Sequence, residues 1–592
     1  MPVENSGAES SVENKSFDIK TIELWLRQAE HAKKANDHDS MNTWYCKVLH
    51  EDPLNTKALQ GLLAHTFNDN ALTFKLECLL KAYDQRFASN VWAKLHLLAY
   101  ELQRANYEAC YPLVKAIMRR GPDSSQGHVL AGRYFSERPY VDEVAAIHHF
   151  KKAKSLGLDN PGVNALLAAV LMRYNQLEEA KACYLVGMKR DSNRHHSLLG
   201  LAKVAEYQSD FEQAWQYIEQ MIHSERVRHD SLLLQAKLYR RQNHYDQALK
   251  CLDQCISENS QSSSLASYWY ERGRLHDKTK DYEQAMQAFV KANKIARSYS
   301  PGYNHSDIVT FHKKLNVFFK RDRLAQLPVL EKDLPATQPL FILGFPRSGT
   351  SLTEKILTTH SQVIAGGELP FIQDLAKSAK DTLRSNLDYP GCLMDLALGN
   401  QQGVIASMQA DYLAKSNLSN LQSSNKKYFT DKMPLNEIHL GLIDRVFPRS
   451  PKIHLIRHPL DVVLSNFFTE LTHGNFQAQD ISTAAQHYAL TMEMVFHYRN
   501  ELGGNYYSLH YEHLIDDIER KVKSLLRYVN LSFEKECLDF YQDKSHTKTA
   551  SYSQVTQPLY QSSKFRYKPY LQYLEPAINE LGPLIEKLGY QI

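Results

Sequence analysis

The sequence predicts an all-helical repeat superhelix followed by an α/β domain built on a parallel sheet. Three observations carry that prediction. Alanines recur every 34 residues through much of the first half. The stretch "PLFILGFPRSGTSLTEKIL" joins an apolar, strand-like run to a glycine-bearing turn and a helix-like segment. Further on, "KIHLIRHP" repeats the pattern of a strand ending in a cation. At 592 residues the chain is too long for one core. Hydrophobic content of 43% and charged content of 23% are ordinary for a globular protein. The net charge of +4 gives no general affinity for nucleic acid. No apolar run reaches the ~18 residues that would suggest membrane insertion.

The repeats come first in the chain. "VAAIHHFKKA", "LEEAKACYLVG", "FEQAWQYIEQM" and "YDQALKCLDQC" put Ala146, Ala180, Ala214 and Ala248 at 34-residue intervals. Ala168, Ala202 and Ala236 each precede one of these by twelve residues. Small residues at both places let paired helices approach closely. A further unit carries Trp269, Gly273, Ala285, Phe289 and Ala292. This pattern resembles the tetratricopeptide repeat, whose units share that period. Such repeats stack into a superhelix with a concave face; the face reads either as a peptide-docking groove or as a passive spacer. Residues 1–16 form a polar, acidic lead, expected to be disordered and unlike a signal peptide. The array is assigned to 17–330 and the α/β domain to 336–592, because the helical pattern stops among Pro328, Pro335 and Pro339. Eight scattered cysteines lack a C-x-x-C pair, and Cys251 and Cys255 read as structural thiols of a reducing cytoplasm.

From Gly344 to Ser351 the glycine-bearing turn matches the phosphate-loop spacing G-x-x-x-x-G-K-[ST], except that Thr350 stands in place of lysine. The nearby cation is Arg347. Backbone amides of such a turn, backed by a helix N-terminus, hold an anion of any identity. Loss of the lysine argues against nucleotide triphosphate hydrolysis, and no strand ending in a magnesium-holding acid is evident. A metal-free site that uses arginine is the expectation.

"GFPRSGTSL" resembles the 5′-phosphosulfate loop of sulfotransferases, which use 3′-phosphoadenosine 5′-phosphosulfate (PAPS). The resemblance implies donor contacts from Arg347, Ser348, Gly349, Thr350 and Ser351. "KIHLIRHPLDVVLSNFF" supplies Arg457 and Ser465 at the spacing of the family's 3′-phosphate motif, and arginine's planar fork suits phosphate. The tyrosylprotein sulfotransferase branch is nearest in motif. There "VIAGGELPFI" puts Glu368 on the catalytic base and "YFTDKMPLNEIHL" puts Lys432 on the transition-state lysine. "SLHYEHLIDD" offers Tyr511 to the nucleotide. "TASYSQVTQPLYQSSKFRY" resembles the C-terminal nucleotide segment, with Ser551 on the transition-state serine and Arg566 in place of a lysine. The likeness spans residues 339 to 590. It departs where the family's second arginine after Ser465 is replaced by sequence around Phe468 and Thr469, and the family's secretory anchor has no counterpart.

The implied reaction is in-line attack of a hydroxyl on sulfur. Arg347, Lys432, the amides of Gly349 to Ser351 and Ser551 would stabilise the growing charge, with Glu368 accepting the proton. A phenol, with a pKa of about 10, is easier to deprotonate than an alkyl alcohol. Each residue also has a plainer reading: Glu368 as a helix-start carboxylate, Lys432 as a surface cation, Arg457 as a structural ion-pair partner, Tyr511 as a core ring. His360, His454 and His458 are lesser candidates for a base. Three functions stay open. One is a sulfotransferase whose repeats recruit a protein-tyrosine acceptor; another acts on a small-molecule, lipid or glycan hydroxyl; the third is a degenerate repeat scaffold. Residues 376 to 425 are read as a helical cover, and "LTHGNFQAQDISTAAQHYAL" as a gate.

Overall fold

The computed structural model describes the chain apart from residues 1–18, 36, 54, 64–80, 82–90, 140, 189–193, 259–263, 301, 331–336, 399–401, 419–420, 422–424, 472–474, 504–505 and 543–562. The polar lead, the boundary segment and Ser551 therefore lie outside the described residues. The rest falls into two compact units. One holds the chain up to Tyr134 with His149–Asp159; the other holds Phe135–His148 with Asn160–Ile592. The first is helical, and its helices Ile19–Lys34 and His38–Glu51 close around Ala29, Met41, Val48 and Leu59.

In the second unit helices come in pairs: Pro161–Arg173 with Leu177–Met188, Arg194–Tyr207 with Phe211–Glu219, Arg228–Arg241 with Tyr245–Glu258, and Leu265–Lys278 with Tyr282–Ser298. The alanine period is a packing period: Ala168, Ala180, Ala202, Ala214, Ala236 and Ala248 are all fully buried. A second period appears in the backbone. Asn175, Ser209 and Asn243, again 34 residues apart, take left-handed φ of 61°, 61° and 63° in the turn between the helices of each pair. Asp210 and Asp281 then cap the second helix, accepting from Gln213 N and Gln284 N at 3.0 and 3.2 Å.

Five parallel strands form the sheet: β1 (Gln338–Leu343), β2 (Val363–Ile364), β3 (Tyr428–Asp431), β4 (Lys452–Ile456) and β5 (Tyr507–His510). Their order is β2-β3-β1-β4-β5. Both faces of the central strands are covered, which is why "LFIL" reads as an unbroken apolar run and why even Lys452 and His454 of "KIHLI" are buried. The chain leaves β1 toward β2 on one side and later returns to β4 on the other. The crevice between β1 and β4, at the carboxyl ends, is thus the switch point where ligands of such sheets bind.

The last repeat shares a core with the sheet domain. Phe289 stacks on Phe468 with centroids 3.9 Å apart. Asn293 Nδ2 donates to the Phe467 carbonyl at 2.9 Å and accepts at Oδ1 from Tyr270 OH at 2.6 Å. The described part of residues 376 to 425 is largely helical, as expected, and its Ala376, Ala379, Met408 and Tyr412 belong to a hydrophobic core. Of the would-be gate, residues 472–474 lie outside the described residues, while its end enters helix Ile481–Glu501, whose Ala484, Ala485, Tyr488 and Met492 are buried on a packed face. Phe289→Ala should cost about 3–5 kcal/mol. Because the ring belongs to a shared core, urea unfolding of the last repeat and of the sheet should move to lower urea together, with circular dichroism and tryptophan fluorescence still coincident.

Candidate active site

The two motif loops leave the carboxyl ends of neighbouring strands, β1 and β4. After Leu343 the backbone turns sharply, and Arg347 takes φ 72°. A non-glycine residue there is strained, and such strain concentrates at functional loops. Gly349 has φ 105°, and a Cβ on it would meet Tyr511 Cδ2 at 2.5 Å, so the ring lies directly against the loop. Helix Thr350–Thr358 starts there, with Thr350 and Ser351 buried. Alternating backbone handedness at a helix start is the geometry of an anion-binding concavity.

The loops interlock. Arg347 Nε donates to Ser465 Oγ at 3.1 Å, and Arg457 Nη1 donates to the Arg347 carbonyl at 3.1 Å. Asn466 Nδ2 donates to the Pro346 carbonyl at 2.8 Å. The Arg457 guanidinium sits 4.6 Å from the centre of the Tyr511 ring. Its Nη2 donates to the Ser563 carbonyl at 2.6 Å, while Tyr511 OH donates to Ser563 Oγ at 2.9 Å. Asp461 ties down the same C-terminal segment, accepting from Phe565 N and Tyr567 N at 2.8 and 2.9 Å. Two buried donors, Ser348 Oγ and Arg457 Nε, have no hydrogen-bond partner among the described residues. Unpaired buried donors are costly, and beside two guanidiniums and a helix start they suit the oxygens of a phosphorylated or sulfated ligand.

A second cluster stands at the ends of β2 and β3. Lys432, fully buried, donates from Nζ to Glu368 Oε1 at 2.7 Å and lies 3.9 Å from Glu354 Oε2. The Glu368 side chain is 40% exposed. It borders a pocket that also meets Glu143 and Tyr174 of the repeat region. There Arg138 makes a two-pronged ion pair with Asp374 at 3.0 and 3.2 Å, and Lys415 joins at 2.9 Å, pinning repeat residues beside the helix that follows Glu368.

Arg347, Ser348, Gly349, Thr350, Ser351, Arg457, Ser465 and Tyr511 are thus brought together, and Glu368 pairs with Lys432. Arg566 is placed differently. It is ion-paired to Asp277 of the last repeat, with its guanidinium over Phe468. Asp277 also accepts from Tyr570 OH at 2.7 Å. The three histidines are structural. His454 is buried in β4 and pushed down to about 4 by burial; His458 caps its helix and stacks on Tyr567; His360 meets the Ser532 carbonyl. One strand does end in an acid, which the sequence reading did not single out. Asp431 closes β3, but its Oδ2 is held by Tyr412 OH at 2.6 Å, and burial pushes it up to about 7. Sequence reasoning also missed Glu354, Asp461 and Glu437. Glu437 is buried beneath the loop and accepts from Gly344 N at 3.3 Å. "TEKIL" and "PLNEI" gave only ordinary helix charges as a signal.

Comparison with known proteins agrees with this geometry. The sulfotransferase family model matches residues 339–535, and the tetratricopeptide repeat model matches 229–262 and 266–299. An uncharacterized protein of Aquifex aeolicus (strain VF5) is 30% identical over 329 residues, 55% of this chain and 42% of that one. Protein-tyrosine sulfotransferase 1 of Danio rerio is 24% identical over 210 residues, 36% of this chain and 57% of that one. Among solved structures, the sulfotransferase domain from the curacin biosynthetic pathway is 20% identical, covers 44% of this chain and 100% of its own, and has a TM-score of 0.31. The chain spans about half the length of these two curated relatives.

Burial pushes Glu437 from 4.5 up to about 7, so the folded protein keeps a proton there that the unfolded chain has lost. Stability from that proton is complete below the unfolded value and is lost as pH rises through about 7. Glu437→Gln keeps an acceptor for Gly344 N without the titration. Between pH 5 and 7 the wild-type thermal midpoint should fall relative to the variant's, then run parallel above; curves parallel throughout would contradict this.

Proposed function

We propose that this chain, with a sulfotransferase-family domain at 339–535 and tetratricopeptide repeats at 229–299, is a PAPS-dependent enzyme that moves a sulfuryl group to an acceptor hydroxyl, in particular that of protein tyrosine. The observation that carries this reading is the interlock of Arg347, Ser465 and Arg457 between the two loops. It puts two guanidiniums and a serine hydroxyl along one crevice, a spacing suited to a nucleotide charged at both ends. In this reading Arg347 and the amides of Gly349, Thr350 and Ser351, with Ser348, hold the phosphosulfate; Arg457 and Ser465 hold the 3′-phosphate; Tyr511 packs on the nucleotide. Ser551, outside the described residues, is assigned to donate a hydrogen bond in the transition state, and Arg566 to the C-terminal nucleotide segment.

The acceptor oxygen forms a bond to sulfur as the sulfur–oxygen bond to the 5′-phosphate breaks. The electron pair leaves with the 3′,5′-bisphosphate, and Glu368 receives the acceptor proton. Arg347 and Lys432 supply fixed positive charge where negative charge grows, so catalysis is positioning plus preorganised electrostatics. Tyrosine as acceptor is supported by a carboxylate base matched to a phenol and by the named relatives. Recruitment by the repeats is supported by the pocket that Glu368 shares with Glu143 and Tyr174. A cytoplasmic setting belongs to the same proposal and rests on the scattered cysteines, which lack a C-x-x-C pair. No helix among the described residues is long and apolar enough to cross a membrane.

Incubation with radiolabelled PAPS and tyrosine peptides tests the reading, and label on small hydroxyl compounds alone would move the acceptor class. Glu368→Ala should lower turnover by about 10²–10⁴-fold and leave bisphosphate affinity within about twofold of wild type. Joint loss of binding would contradict the base role. Arg457→Ala should weaken bisphosphate binding by roughly 10–100-fold, the value of a lost charged hydrogen bond. Unchanged affinity by calorimetry would remove Arg457 from the donor site.

A further inference from the structure

We infer that Glu354 is a positioning residue of the transfer site: the fixed anion that gathers the donor-loop helix, the turn bearing Glu368 and the strand end bearing Lys432. The inference rests on the roles proposed above for Glu368 and Lys432. Glu354 lies one turn into helix Thr350–Thr358 and is 3% exposed. A carboxylate so buried has to be paired or hydrogen-bonded to persist, and its partners are Lys432 and residues close to Glu368 and Lys432 in the chain. Oε1 accepts from Thr430 Oγ1 at 2.6 Å and from Gly367 N at 3.0 Å. Thr430 Oγ1 in turn accepts from Gly366 N at 2.9 Å. Oε2 stands 3.9 Å from Lys432 Nζ, and Lys432 N donates to the Gly367 carbonyl at 2.9 Å. The turn has no slack: a Cβ on Gly366 would meet the Thr430 carbonyl oxygen at 1.9 Å.

The consequence is chemical. Lys432 is buried between two carboxylates of unequal fate. Glu368 is half in solvent and becomes neutral when it takes the acceptor's proton, which releases its hold on the ammonium. Glu354, sealed from solvent and bonded by two donors, holds its place beside the ammonium through the step. Lys432 therefore stays in place at the moment its N–H groups are needed by the leaving oxygen. The same carboxylate fixes the distance between the donor loop and the base, because one helix carries both the loop amides and Glu354.

The test uses the full chain and Glu354→Gln, whose amide oxygen still accepts from Thr430 and Gly367 but carries no charge. The expected result is a kcat at least tenfold lower, with acceptor KM and bisphosphate affinity within twofold of wild type. In the Lys432→Ala background the same change should add little, since both act through one group. Wild-type kcat in the Glu354→Gln variant, an equal loss of bisphosphate affinity, or full additivity with Lys432→Ala would overturn the proposal. If Glu354→Gln does not fold, Thr430→Val carries the test: a three- to tenfold drop in kcat, non-additive with Lys432→Ala, supports it, and additivity overturns it. A wild-type protein that transfers no sulfuryl group to any phenol or alcohol overturns the reading of Glu368 and Lys432, and this inference with it.

Discussion

The site depends on one backbone constraint, the left-handed turn at Arg347, held from outside by the arginine that follows β4. Arg457 donates to the Arg347 carbonyl, and the Arg347 side chain reaches back to Ser465 on the helix after β4. Each loop therefore fixes the other. A strained residue persists only where its surroundings over-determine it, and here the neighbouring strand supplies that determination.

Buried carboxylates organise the surroundings of this positive centre. Asp461 anchors the C-terminal segment by two backbone amides, Glu354 gathers the turn around Glu368, and Glu437 sits beneath Gly344. None competes with the anion as an exposed charge. Glu437 and Asp431 are both pushed up to about 7 by burial and so are largely neutral on the acid side of neutrality. The last repeat belongs to the same construction, since Phe289 and Asn293 enter the sheet domain's core and Asp277 holds Arg566. The last repeat and the sheet domain thus share physical parts.

Much of this was legible in the sequence because it rests on local spacing. The 34-residue alanine period became a series of fully buried contacts, and the two strand-loop motifs became neighbouring strands. What the sequence hid was set by long-range partners. Nothing in "TEKIL" distinguishes Glu354, whose meaning comes from Thr430, 76 positions away. Arg566 read as a nucleotide contact because its neighbours matched a motif; its partner Asp277 lies 289 positions earlier, in another element type. The segment after Leu375 read as a cover because its polar residues outnumber its apolar ones, yet the apolar ones line one face.

The central claim is that one nucleotide with a phosphate at each end spans the two interlocked loops. A crystal structure with adenosine 3′,5′-bisphosphate tests it most directly. The account predicts the 5′-phosphate on the amides of Gly349 to Ser351 and the 3′-phosphate on Arg457 and Ser465, with Tyr511 against the nucleotide. A bisphosphate bound elsewhere, or a magnesium-chelated triphosphate occupying the turn after Leu343 in its place, would contradict it.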